Sequence, residues 1–140
     1  MATTDDNKQL VREYFRAFLQ KDEGWWRAHI APSFVRHDPG LPFEVRGPEG
    51  VKQLADALLP GIPNMELPIE DLVAEGEKVL AQLRVQGTHR GELMGIPATG
   101  KRIDIAVLDL FQIRDGRLIE HWALLDNLGM LRQSGVTSIQ

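Results

Sequence analysis

Cysteine is absent from this 140-residue chain. Its absence excludes disulfides, thiolate metal sites and a cysteine nucleophile. Basic runs are missing too. The formal net charge is -4, with a pI near 5.5, and no aromatic residues interleave with lysine or arginine, so the chain lacks the basic footprint of a nucleic-acid binder. No apolar run approaches the roughly 18 residues that suggest a membrane-spanning helix. The opening "MATTDDNKQ" has no apolar core of the kind a signal peptide carries. A cytoplasmic protein with no nucleic-acid or membrane partner is the expectation.

Several catalytic signatures are also lacking. His29, His37, His89 and His121 are scattered, with no HxH or HExxH spacing, so no metal site is expected. There is no Walker loop and no GxGxxG. Ser33, Ser134 and Ser138 are the only serines, and none sits in a GxSxG elbow. A reaction without cofactor or metal is therefore expected.

What is present is an ordinary globular composition, 43% apolar and 26% charged. The length suits one domain, taken as residues 1–140, with no repeat or linker to divide it. In "TTDDNKQLVREYFRAFLQKD", Leu10, Val11, Tyr14, Phe15, Phe18 and Leu19 recur at helical spacing, with Thr4, Asp5 and Asp6 offered as caps. "DEGWWRAHI" predicts a second helix, stopped by Pro32. "SFVRHDP" predicts a brief extended piece. "GPEGVKQLADALLPGIP" predicts a third helix, with Pro48 in its first turn and Val51, Leu54, Ala55, Leu58 and Leu59 on its apolar face.

After Pro63 the texture changes to strands. One pair is joined through Glu75-Gly76-Glu77 and another at Asp115-Gly116, a strong hairpin signal. Between the pairs, "ELMGIPATGK" predicts a loop. Helices followed by a mainly antiparallel meander argue for an α+β fold, with helices packed on a sheet. Alternation puts Val79, Ala81, Leu83 and Val85 on one face of the first central strand, with Arg84 opposite. On the next strand Asp109 interrupts the apolar set Ile103, Ile105, Val107, Phe111 and Ile113. On the last strand, Leu118, Glu120, Trp122, Leu124 and Asp126 share one face, and Ile119, His121, Ala123 and Leu125 the other. Apolar residues on both faces suggest a sheet covered on both sides, by helices and by a second copy of the chain.

Four stretches carry a resemblance. They are the Gly-Thr-His-Arg-Gly turn at 87–91, the Gly-Ile-Pro-Ala-Thr-Gly loop at 95–100, "DGRLIEHW" at 115–122 and "DNLGMLRQ" at 126–133. Together with the early "VRHDPG" they resemble the SnoaL-like polyketide cyclases, of the superfamily of nuclear transport factor two and ketosteroid isomerase. The resemblance implies a cone of helices closed over a strongly curved antiparallel sheet that encloses a pocket. It implies a homodimer and a small hydrophobic or aromatic ligand. It also implies that Asp126, matching an Asp at the end of the last long strand, acts as acid/base in an intramolecular aldol closure, and that His37 lies in the same pocket.

By residue type alone, Asp126 reads first as an N-cap of the helix "LGMLRQ". As a proton carrier it would draw on the rule that an apolar pocket penalises the charged form of a carboxylate. His37 and His89 are the expected hydrogen-bond donors to substrate oxygen, though each also reads as a turn or strand-end residue. Phe34, Met94, Trp122 and Leu124 are the expected apolar lining, or equally core filler. Asp109 is a pocket residue or an interface ion-pair partner, because an unpaired buried charge is costly. His121 is expected to be structural, and Asp38 ranks behind Asp126 as an alternative base. Isomerase, dehydratase and epoxide hydrolase chemistry remain alternatives, as does a non-catalytic ligand-binding module.

Overall fold

The computed structural model describes residues 3–135. The first helix, α1 (Thr4–Gln20), starts one residue later than its best cap: the Thr3 side chain accepts the Asp6 N–H while the Asp6 carboxylate accepts the Thr3 N–H. This reciprocal arrangement satisfies two N–H groups that a helix start leaves unpaired. The apolar stripe buries Val11, Tyr14, Phe15 and Phe18. In α2 (Glu23–His29), Asp22 caps the start, Trp26 is buried, and Trp25 stacks on His29.

Pro32 does not stop α2. The helix runs directly into β1 (Ile30–His37), which holds Pro32 at its exposed side. The pairing register of β1 slips between Ile30 and Val35, so Pro32 sits where the ladder is already interrupted and its missing N–H costs nothing. Then come β2 (Val45–Arg46) and α3 (Gly47–Leu58), whose buried face is Gly47, Gly50, Val51, Leu54 and Ala55.

Four long strands follow: β3 (Ile69–Glu75), β4 (Lys78–Thr88), β5 (Arg102–Arg114) and β6 (Arg117–Leu125), before α4 (Asn127–Gln133). Gly76 turns the first pair, and Asp115-Gly116 turns the second with both residues at positive φ. The sheet order is β2-β1-β6-β5-β4-β3, antiparallel except where β1 runs parallel to β6. The expected α+β architecture is the one found.

One register feature decides what the sheet presents. Ile113 pairs with Leu118, but Gln112 pairs with Glu120, so Ile119 is an extra residue in β6. Such a bulge inverts alternation for the rest of the strand. Beyond it His121, Ala123 and Leu125 face inward, while Trp122 and Leu124 face out. Among the described residues, the helices cover the inner face only. The outer face leaves Val73, Leu80, Leu108, Trp122 and Leu124 exposed, Leu124 at 62%.

Gly91 marks a close backbone approach, between the β4–β5 connection and the residues after α3. Its N–H donates to the Gly61 carbonyl, and a Cβ on it would stand 2.2 Å from the Pro60 oxygen. Gly91→Ala is expected to destabilise the protein by about 1–3 kcal/mol, because backbone must move to admit the methyl. Urea unfolding measures this, and an unchanged midpoint contradicts the packing described.

Candidate active site

Three adjacent strands and one helix converge on a single group of side chains. On β1, alternation points Phe34 and Arg36 inward, and Arg36 pairs in register with His121 of β6. His121 in turn pairs with Phe111 of β5, and Asp109 pairs with Ala123. Asp109 and His121 are thus diagonal neighbours on the inner face, a separation that long side chains can bridge. Over them α1 lays Tyr14, edge-on to His121 at 5.8 Å and to Phe111 at 5.3 Å. His121 itself stacks on Phe111 at 4.1 Å.

Of these groups, Tyr14, Arg36 and Asp109 line a cavity of about 70 Å³; His121 and Phe111 are not part of that lining. Its walls are almost wholly apolar, among them Phe15, Phe18, Ile62, Leu83, Val107 and Met130. The polar exceptions are Tyr14, Arg36 and Asp109. An apolar cavity with a few convergent polar groups is the usual form of a small-molecule site.

His121 Nε2 lies 3.0 Å from Asp109 Oδ1, with both side chains almost fully buried. The two atoms are close enough for charge to matter but out of line for a hydrogen bond, and both are without a hydrogen-bond partner. Tyr14 Oη, Arg36 Nε and His121 Nδ1 are unpartnered as well. Buried polar atoms are normally paired, so five orphaned atoms in one cluster mark a place where stability gives way to something else. Arg36 is held by Asp38 at 2.8 Å, a pair in which both partners are buried. Asp38 is fully engaged, since its other oxygen accepts the Gly40 N–H.

Burial, which penalises the cation, lowers the His121 pKa; the nearby Asp109 carboxylate opposes the shift without overcoming it. Burial also pushes the Tyr14 hydroxyl up to about 12, against the pull of Arg36. The Arg36 guanidinium stays charged, because Tyr14, Asp109 and Asp38 outweigh its own desolvation.

Of the residues the sequence suggested, Asp109 alone lies in this lining. Asp126 is exposed and caps α4, accepting the Gly129 N–H at 2.8 Å. Leu125 is the last β6 residue turned toward the cavity. His37 falls on the outer face, because β1 alternation turns it away from Arg36; it contacts Glu120 at 2.6 Å and stacks on Trp122. Trp122 and Leu124 share that outer face as a consequence of the bulge at Ile119. Phe34 is buried core beside the His121 ring. Met94 is exposed in the β4–β5 connection. His89 is buried beneath the same connection, its Nδ1 3.0 Å from the Thr99 hydroxyl. Arg84 pairs with Asp104 at 2.6 Å and does not approach Asp109.

Tyr14, Arg36 and His121 were not expected in a site. Tyr14 matched the helical core pattern. Arg36 belongs to the same inward alternation as Phe34, a signal that was available. His121 was hidden by the bulge.

The sequence profile of the SnoaL-like polyketide cyclases matches residues 8–134. Aklanonic acid methyl ester cyclase DnrD of Streptomyces peucetius is 34% identical over 109 residues, covering 76% of this chain and 72% of that one. Among solved structures, TsrD from Streptomyces laurentii superposes with a TM-score of 0.85 at 28% identity, covering 98% of this chain and 100% of that one. IdmH of Streptomyces antibioticus superposes at 0.76 with 33% identity, covering 93% and 99%.

Because His121 is held mostly neutral in the fold, the unfolded chain binds more protons as pH falls through the ordinary value of 6.5. Stability should therefore fall with acidification from that point, with a slope approaching about 1.4 kcal/mol per pH unit for one proton. Denaturant unfolding from neutral pH down toward the carboxylate range should show the loss, and His121→Gln should flatten it. An equal slope in that variant contradicts the buried neutral imidazole.

Proposed function

The chain belongs to the SnoaL-like polyketide cyclase family, and we propose that it closes a ring in a polyketide-type substrate by intramolecular aldol chemistry, with Asp109 as the acid/base and His121 as its positioning partner. The observation that carries this reading is the buried Asp109–His121 pair, 3.0 Å apart, of which Asp109 lines an apolar cavity. In this reading the role sketched for Asp126 passes to Asp109, which is the carboxylate lining the cavity.

The reaction moves one proton out and back. Asp109 takes a proton from the methylene between two carbonyls, leaving an enolate. The enolate carbon attacks a carbonyl further along the same molecule, forming the C–C bond, and the resulting alkoxide takes the proton back from Asp109. Nothing is oxidised or reduced. His121, its Nε2 3.0 Å from the Asp109 Oδ1, supports the proton while Asp109 carries it. The apolar walls fold the substrate so that its reacting carbons meet, which supplies several kcal/mol of the barrier.

Aklanonic acid methyl ester, the substrate in the name of the relative DnrD, is the first compound to offer. Asp109→Asn is expected to slow cyclisation by roughly 10²- to 10⁴-fold, followed as loss of substrate and gain of an isomeric product by mass spectrometry with chromatography. Asp126→Asn should retain most of the rate. Full activity in Asp109→Asn would contradict the assignment.

The same reading includes a homodimer through the outer sheet face, where Leu80, Leu108, Trp122 and Leu124 leave an apolar surface that no helix among the described residues covers. Sedimentation at micromolar concentration is expected to give a dimer, shifted toward monomer by Leu124→Lys. A monomeric parent chain contradicts it.

A further inference from the structure

Arg36 is a rival to His121 for the Asp109 carboxylate. It lies across β6 from Asp109, since β1 pairs with one side of that strand and β5 with the other. Both side chains line the cavity, and Asp109 is near enough to help hold the guanidinium charged. A cation that closed on Asp109 would favour the ionised carboxylate and make it a weaker base. Yet the group in contact with Asp109 is His121, at 3.0 Å, while Arg36 is paired with Asp38.

What holds Arg36 away is encoded in "RHDPGL". Alternation turns Arg36 and Asp38 to one side of the chain and His37 to the other. Asp38-Pro39-Gly40-Leu41 then makes a turn, closed by the Leu41 N–H on the Asp38 carbonyl at 3.2 Å, with Pro at the position whose φ it presets. One Asp38 carboxylate oxygen accepts the Gly40 N–H at 2.9 Å, and the other accepts from Arg36 Nη2 at 2.8 Å. The turn has little room to shift, because Gly40 packs on Asn127 at the start of α4: a Cβ there would stand 2.2 Å from the Asn127 amide nitrogen. An aspartate that served the turn alone could stay in water, but the Asp38 side chain is only 5% exposed.

We propose that Asp38 is a positioning residue for the ring closure: fixed by its turn against α4, it keeps the Arg36 guanidinium from pairing with Asp109 and so leaves the base to His121. The inference rests on the cyclase reading and adds a residue to it. Asp38 acts through Arg36 and not on the substrate. Asp38→Asn removes the anion but keeps an oxygen for the Gly40 N–H, so the cation is released toward Asp109 while the turn stays closed.

His121 reports on this without any substrate. The titratable and charged groups around it are Asp109 on β5, Tyr14 on α1, Arg36 on β1 and Asp38 just beyond β1. Burial depresses its pKa most; Asp109 works against that, Arg36 works with it, and Asp38 works against it more weakly than Arg36 works with it. In Asp38→Asn one supporting anion is deleted and the other is taken up by Arg36, so the nitrogen-15 titration of His121 is expected to move to lower pH than in wild type. Cyclisation of aklanonic acid methyl ester should slow by roughly 10- to 100-fold, part of what a general base contributes. Arg36→Met/Asp38→Asn removes the cation as well, and His121 is then expected to titrate at or above its wild-type position, a reversal that a loosened turn would not produce. An equal titration in wild type and Asp38→Asn overturns the proposal, as does a double variant that titrates below wild type. Circular dichroism checks folding; if Asp38→Asn does not fold, the double variant, which deletes both partners of the buried ion pair, decides alone. The expected titrations alongside failure to cyclise any polyketide would uphold the hold of Asp38 on Arg36 and reject the cyclase reading; cyclisation that depends on Asp109, with titrations unmoved, would do the reverse.

Discussion

The candidate site of this protein depends on one extra residue in a strand. Ile119 bulges out of β6, and from there to Leu125 the strand's alternation is inverted. Without it, the partner of Asp109 across the hairpin would be Trp122, and His121 would face outward beside His37. With it, small Ala123 lies opposite Asp109, and His121 rotates under Tyr14 into stacking contact with Phe111. A single extra residue thus sets both faces of the sheet: the buried Asp109–His121 pair inside and the apolar Trp122–Leu124 surface outside.

The remaining elements serve to make that interior both dry and polar at one end. The α1 stripe at three- and four-residue spacing closes the cavity from above and brings the Tyr14 hydroxyl to it. The parallel pairing of β1 with β6 carries Arg36 alongside His121. Asp38, just past the end of β1, neutralises Arg36 without entering the lining. The cost is a set of buried polar atoms left unpaired, each a loss of about 1–3 kcal/mol in a fold optimised only for stability. Sites that break the rule of buried pairing are where function is expected.

Most of the fold was legible in the sequence. Helical spacing fixed the apolar faces of α1 and α3, and the Asp115-Gly116 turn fixed the β5–β6 hairpin. The SnoaL-like resemblance agreed with both. The site was legible only where local pattern sufficed. Asp109 stood out because it broke an apolar alternation in a strand without irregularity. His121 and Trp122 were exchanged between faces because a bulge leaves no mark when the extra residue, Ile119, is as apolar as its neighbours. Pro32 misled for a related reason: a slipped register tolerates a proline that a regular ladder would reject. Asp126 was a sound cap by residue type and is one in the structure. The resemblance pulled it toward the pocket because the end of a strand is close to the cavity in sequence, while its side chain points elsewhere.

The central claim is that Asp109 and His121 form one buried proton-handling unit. Nitrogen-15 NMR titration of the His121 imidazole, in the parent chain and in Asp109→Asn and Asp126→Asn, tests it most directly. The account predicts a His121 pKa below the ordinary 6.5, depressed further in Asp109→Asn because the opposing carboxylate is gone, and unmoved in Asp126→Asn. A His121 that titrates at its ordinary value and responds to neither change, or to Asp126 alone, would contradict it.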